Sequence, residues 1–330
     1  MKDIGLKKMK LPIIKIVYFG TPEISAGVLK KLSEEKAKII GVFTKPDSLY
    51  GRGTKTQENP VKKLAKELKI PIFQPKLLKD VAVVNNIKNL SPDLIIVAAY
   101  GLIIPKEILD IPKYGVLNIH PSLLPIYRGP SPVATALMNG DSYTGVSIML
   151  LDEGMDSGPV LVSEKISINS GHNTQTLTQE LFQIGADLLI ETMNLWIDGQ
   201  IEPKYQNINN VSVTSLLTKE DGKINWQQKN EQIERKVRAF SPWPTAFTYF
   251  KSKRLIIEKA FLFLGEYTYE NNGIIPGTVI KIDTKSKSII GVCCGEGFLV
   301  ITKVKLEGSS SQDINDFIRG KSDFIGGVLQ

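Results

Sequence analysis

At 330 residues the chain has room for two domains of ~150 residues, each able to bury a core unaided, and 42% hydrophobic with 23% charged content excludes wholesale disorder. Its two cysteines, Cys293 and Cys294, are adjacent, which closes no useful loop and matches no spaced pair of metal ligands; a disulfide scaffold is excluded, no metal is expected, and a reducing cytoplasmic setting is. The net charge of +7 favours a polyanionic partner, and the surplus is denser in residues 219–330, with 17 basic and 13 acidic side chains, than in residues 1–218, with 24 and 21.

The first half alternates short apolar runs with amphipathic stretches, the pattern of strands feeding crossover helices into a largely parallel sheet, hence an α/β fold. Residues 13–19 predict the first strand, which ends at Gly20-Thr21-Pro22-Glu23; Ile24, Val28, Leu29 and Leu32 then line one face of a helix. Residues 39–44 predict a second strand, 61–68 a second helix, 94–99 a third strand, 105–109 a short helix and 115–119 a fourth strand. The sheet signal continues in 144–150 and 160–168, and 174–197 has the length and period of a long closing helix. Residues 202–218 are polar without a sustained apolar period, which predicts a linker crossing the surface. Beyond it come a helix over 231–239 and five short β-rich runs, 246–250, 255–263, 277–282, 289–293 and 298–306, which suggest a small barrel. No apolar run approaches the ~20 residues that cross a bilayer, and Lys10, Pro12 and Lys15 interrupt the N-terminal stretch, so no membrane association is expected.

The densest chemistry follows the fourth strand, in Asn118-Ile119-His120-Pro121-Ser122-Leu123-Leu124-Pro125. Ligands of open α/β sheets settle beyond the carboxyl ends of strands. Alternation puts positions i and i+2 on one side, so Asn118 and His120 can share a cleft. The other histidine, His172, lies in a Ser-Gly-His-Asn turn that reads as surface. A second cluster, Asp152-Glu153-Gly154-Met155-Asp156-Ser157-Gly158, is a carboxylate-rich loop in which two glycines permit tight backbone turns around Asp156. A carboxylate beside an imidazole suits proton movement, and an amide donor suits a developing oxyanion, so the set reads as one for direct acyl transfer. Each residue alone is as well explained as a turn or core residue; their joint arrangement carries the reading. Ser122 follows a proline and lacks the setting of an elbow nucleophile. Residues 44–56 form a loop long for a compact α/β unit, in which Arg52, flanked by Gly51 and Gly53, can approach a phosphate; a solvated loop explains it equally. Neither a three-glycine dinucleotide fingerprint nor a P-loop lysine follows the first strand.

Taken together, Phe19 to Glu23, Gly51-Arg52-Gly53, Val97 to Gly101, Asn118 to Pro125, Arg128-Gly129, Gly145 to Met149, Asp156-Ser157-Gly158 and Arg238-Ala239-Phe240-Ser241-Pro242-Trp243-Pro244 resemble the methionyl-tRNA formyltransferase family over nearly the whole chain. The resemblance implies a Rossmann-like catalytic domain over 12–201, a linker over 202–218 and a smaller OB-like β-barrel that binds tRNA over 219–330. It implies transfer of the formyl group of 10-formyltetrahydrofolate to the α-amine of initiator methionyl-tRNA. Asn118, His120 and Asp156 then match the catalytic trio, Ser122, Leu123, Leu124 and Pro125 the folate-contacting segment, residues 102–104 the wall of the pterin pocket, and Arg52 the loop that meets the tRNA acceptor end. Gly129-Pro130-Ser131-Pro132 departs from the family pattern, where two small residues precede the proline. Lys251, Lys253, Arg254 and Lys259 are candidates for phosphate contacts, and a monomer is the default expectation. A formyltransferase for a small-molecule amine would use the same trio, and a non-catalytic RNA-binding protein could keep the barrel.

Overall fold

Seven strands build the first sheet of the computed structural model, which describes residues 13–50, 55–263, 274–284 and 288–330. Contacts divide the chain into two units. One comprises residues up to Pro132 with Tyr143–Ser167 and Thr178–Ser215; the other joins Val133–Ser142 and Ile168–Leu177 to Leu216–Gln330.

In the first unit, β1 (Lys15–Gly20), α1 (Glu23–Glu34) and β2 (Lys38–Phe43) are followed by a small hairpin of β3 (Ser48–Tyr50) and β4 (Lys55–Gln57). Then come α2 (Pro60–Glu67), β5 (Ile72–Phe73), α3 (Val81–Leu90), β6 (Leu94–Ala98), α4 (Lys106–Leu109), β7 (Val116–His120), β8 (Tyr143–Leu150), β9 (Val160–Ser167) and α6 (Thr174–Ile197), the last belonging to this unit from Thr178 on, while α5 (Pro132–Asn139), between β7 and β8, falls from Val133 in the other unit. The strand order is β5-β2-β1-β6-β7-β8-β9. Its first five strands run parallel, and β8 and β9 each pair antiparallel with the strand before. All of β6 is buried, as expected of a parallel strand covered on both faces.

The chain leaves β1 toward β2 and β5, then returns to β6 and continues the other way. Strand order therefore reverses between β1 and β6, where an open α/β sheet has its crevice. Gly20 pairs in register with Ala98 and Val97 with Asn118, so the carboxyl ends of β1, β6 and β7 stand side by side. Gly185 lets α6 approach this sheet: a Cβ there would lie 2.7 Å from Ile119 Cγ2.

Periodicity leaves α3, β5 and the β3-β4 hairpin unpredicted. Val81, Val83, Val84, Asn85 and Asn86 are weak helix formers, and only Val84 and Ile87 of α3 are buried, too few to display a 3.6-residue stripe.

In the second unit α7 (Asn230–Ala239) precedes β10 (Phe247–Phe250), β11 (Lys253–Leu262), β12 (Val279–Asp283), β13 (Ser288–Cys293), β14 (Phe298–Leu306), β15 (Gln312–Asp313) and α8 (Ile314–Arg319). The sheet is antiparallel in the order β10-β11-β14-β13-β12, with β15 on β14. Phe324 is fully buried between Phe250 and Phe317, meeting each edge-to-face at a centroid distance of 5.0 Å. The last residues bond to both outer strands: Gly326 N donates to Val279 O at 2.8 Å, and Tyr249 and Gln330 exchange bonds of 2.9 and 3.1 Å. Among the described residues no helix is long and apolar enough to cross a membrane.

Candidate active site

Because β7 ends at the crevice, its last residues carry side chains to the sheet's ligand-binding edge. His120 is buried, opposite Ser147 of β8. Its Nε2 lies 2.9 Å from the carbonyl oxygen of Tyr127; a carbonyl only accepts, so this nitrogen carries the hydrogen. Nδ1 faces Asp156 Oδ2 at 3.5 Å, and the same carboxylate oxygen accepts from Gly129 N at 2.8 Å. The Asp156 side chain is 16% exposed, enough for a ligand to reach it. Asn118 is half-buried, and among the described residues its carboxamide takes part in no hydrogen bond, which leaves both amide hydrogens for a ligand.

Local backbone geometry serves this pair. Asp156 and Tyr127 occupy the left-handed region, at φ 50° and 61°, unusual for residues with a Cβ and sustained only where surrounding contacts hold them. Gly129, at φ 102°, passes so close to Thr214 that a Cβ would stand 2.8 Å from its carbonyl oxygen. Within the acid loop, exposed Asp152 accepts from Ser157 Oγ at 2.6 Å and Gly154 N at 3.1 Å inside its own turn, and of the two aspartates it is Asp156 that addresses the histidine.

The turn after β7 is held from below. Ser122 is fully buried and its hydroxyl donates to Ile126 O at 2.6 Å, so its side chain shapes the turn. Ser147 Oγ donates to Ser122 O at 2.7 Å and accepts from Leu124 N at 3.2 Å. Leu123 packs back over Gly145, where an added Cβ would meet its Cδ2 at 2.4 Å; Leu124 and Pro125 are half-buried. Beyond β6, Ile104 is buried while Leu102 and Ile103 are exposed, an apolar surface beside the strand ends. Tyr100 is buried there with a hydroxyl that finds no partner among the described residues, and burial pushes its pKa up to about 12.

Arg52 lies outside the described residues. The base of its loop is well tied: Asn59 accepts from Thr44 Oγ1 and from Lys62 N, each at 2.9 Å, and Lys62 Nζ donates to Asp47 at 2.6 Å. His172 bonds with Asn169 within its own turn. In the second unit the four basic candidates differ in setting. Lys251 pairs with Asp323, Arg254 stacks over Phe247 at 3.9 Å, Lys253 is exposed, and Lys259 stands opposite Lys303 across two strands. Among the described residues no cluster of three or more His, Cys, Asp or Glu side chains could hold a metal ion.

Periodicity misses the segment after β9. Residues 202–215 have no apolar period, yet Ser212 Oγ accepts from Tyr127 N at 2.8 Å, Thr214 N donates to Arg128 O at 2.8 Å, and Gln206 reaches the acid loop. Polar bonds between residues about 50 to 85 positions apart leave no periodic signal.

Two family models match the chain: formyl transferase over residues 14–193 and formyl transferase, C-terminal domain, over residues 216–322. The methionyl-tRNA formyltransferase of Thermodesulfovibrio yellowstonii is 41% identical over 306 residues, covering 93% of this chain and 96% of that one. That of Dehalococcoides mccartyi is 43% identical over 314 residues, covering 95% and 97%. The chain belongs to the methionyl-tRNA formyltransferase family. It is therefore an enzyme, and its family transfers formyl groups to methionyl-tRNA. Solved structures share the fold at lower identity. HypX from Aquifex aeolicus superposes with a TM-score of 0.65 at 19% identity over 96% of this chain, which spans 50% of HypX. A methionyl-tRNA formyltransferase from Clostridium thermocellum gives 0.55 at 18% identity, covering 77% of this chain and 96% of that one.

Proposed function

We propose that this enzyme takes its formyl group from 10-formyltetrahydrofolate, delivers it to the α-amine of methionine on initiator tRNA, and uses Asn118, His120 and Asp156 for the transfer. The observation that carries the assignment is an uncommitted carboxamide at the end of β7, two residues before an imidazole whose Nδ1 faces a carboxylate at 3.5 Å. The exposed Leu102 and Ile103 suit a flat ring, which fits a pterin donor at the same edge.

In this reading the neutral amine attacks the formyl carbon, a C–N bond forms, and negative charge builds on the formyl oxygen. Asn118 donates to that oxygen. The ring nitrogens of His120 already face Tyr127 O and Asp156, so the imidazole serves the proton: Nδ1 and Asp156 take it from the amine and return it to the departing nitrogen as the old C–N bond breaks. Ser122, Leu123, Leu124 and Pro125 shape the folate-side turn, with Ser122 acting through its backbone.

Around this centre we place catalysis in residues 12–201, a connecting segment in 202–218 and tRNA binding in 219–330, in a cytoplasmic enzyme. Arg52 would meet the acceptor end of the tRNA, and exposed lysines such as Lys253 and Lys259 its phosphates. An OB-like barrel is the inferred form of the antiparallel sheet, supported by the bonds from the last residues to both outer strands.

Single-turnover formylation with 10-formyltetrahydrofolate, comparing initiator with elongator methionyl-tRNA, tests the assignment. Initiator should be formylated preferentially, and Asn118→Ala should slow the step by ~10²–10³, the usual cost of one oxyanion donor. A variant within a few-fold of the unaltered enzyme would remove Asn118 from the mechanism.

A further inference from the structure

We propose that Gln206 is a positioning residue for formyl transfer: its carboxamide, tied to Arg128, fixes the backbone of the acid loop and so sets Asp156 against His120. This rests on the reading of those two residues as the proton-moving pair.

Gln206 Nε2 donates to Asp156 O at 2.8 Å and to Gly158 O at 2.7 Å, while its Oε1 accepts from Arg128 Nε at 2.9 Å. Carbonyls only accept and a guanidinium only donates, so the three partners admit one orientation of the amide. Both amide hydrogens are spent on the acid loop. One of these bonds falls on the carbonyl of the residue held at φ 50°, where an outside contact is what keeps a non-glycine residue in place.

The other end of the amide leads to the histidine. Arg128 follows Tyr127, whose carbonyl oxygen accepts from His120 Nε2, and precedes Gly129, whose N–H donates to Asp156. One side chain thus joins the loop that carries the acid to the segment that orients the imidazole. At 3.5 Å the Nδ1–Oδ2 separation is already beyond the normal hydrogen-bond range, so a small shift of the acid loop decides whether a proton can pass. Gln206 itself is half-buried between Tyr205, 87% exposed, and exposed Asn207, so its own contacts, and not packing by its neighbours, hold this point of the segment. It bonds to the loop backbone and touches neither catalytic side chain, which makes its role indirect.

Two variants separate the bonds. Gln206→Leu, one bond shorter, loses all three; Gln206→Glu keeps length and an acceptor for Arg128 but turns a carboxylate oxygen toward two carbonyls. Both should lower kcat by about 10- to 100-fold, with KM for tRNA and folate within about two-fold. Further loss should be less than about two-fold when either change is made in an Asp156→Asn background, because the residues act as one unit. The chain has two histidines, so His172→Gln assigns the imidazole spectrum, and the His120 ring resonances should move in Gln206→Leu at fixed pH, because the carboxylate facing Nδ1 is displaced. If Gln206→Leu fails to fold, Gln206→Glu decides by the same measurements. The inference is overturned if kcat stays within about two-fold while Asp156→Asn is inactive, if the loss lies in KM alone, or if it adds in full to that of Asp156→Asn. Turnover retained by Asp156→Asn itself would instead remove the proton-moving pair, and the inference with it.

Discussion

In the C-terminal unit, Phe324 is held by the faces and edges of Phe250 and Phe317, a contact that tolerates small displacements; in the N-terminal unit, His120 and Asp156 are held by directed bonds from Tyr127, Gly129 and the 206–214 segment. Apolar burial scales with area and fixes that a unit folds, whereas hydrogen bonds depend on angle and fix where an atom sits. Losses in the first region should therefore appear as stability, and losses in the second as rate.

The largest expected effect tests the apolar side. Phe324→Ala should destabilise the enzyme by ~3–5 kcal/mol, read by urea denaturation, with the kcat of the folded fraction unchanged. A selective loss of kcat at full stability would break the contrast. The Asn118→Ala loss of ~10²–10³ should come next, with the urea midpoint unmoved, since that carboxamide bonds to nothing else in the described residues.

Ser147→Ala sharpens the comparison because Ser147 belongs to a buried strand yet holds the turn at Ser122 and Leu124. Leaving those backbone groups unpaired should cost ~1–3 kcal/mol and also raise the KM for folate. A stability loss without any kinetic change would show that the 122–124 turn does not depend on its support.

The smallest effect is a pH dependence at the base of the Arg52 loop. The Lys62 ammonium beside Asp47 holds that carboxyl below its usual range, so the pair stabilises the fold above the unfolded-state pKa and ceases to do so as pH falls through the lower folded-state value. Thermal melts should show Lys62→Met less stable than the unaltered enzyme at neutral pH and the difference closing as acid protonates Asp47. A constant difference would assign the contribution of Lys62 to packing.

Much of the sheet is legible because its strands are buried on both faces: residues 94–99 are a continuous apolar run and 115–119 an apolar run broken only by Asn118, and they stand as β6 and β7. Asn118 and His120 are legible for the same reason, since a strand end announces itself. Asp156 is nominated only by the glycines of its loop, and what aims it, a bond from Gly129 and a left-handed backbone, has no local signature. Gln206 and Ser147 are opaque. Gln206 stands in a stretch without a period, Ser147 in a motif that says nothing of its partners, and their roles arise from chain segments that meet only after folding. Ser122 is a different case: its motif singles out a turn beside His120, and burial with a bond to Ile126 O commits its hydroxyl within that turn.

The last five residues, bonded at once to β10 and to β12, also occupy rows of peptide groups that would otherwise lie open at the rims of the sheet. Such rims recruit strands from other molecules. The tail thereby works as a chaperone in cis, and shortening it by a handful of residues should turn a well-behaved chain into one that self-associates edge to edge.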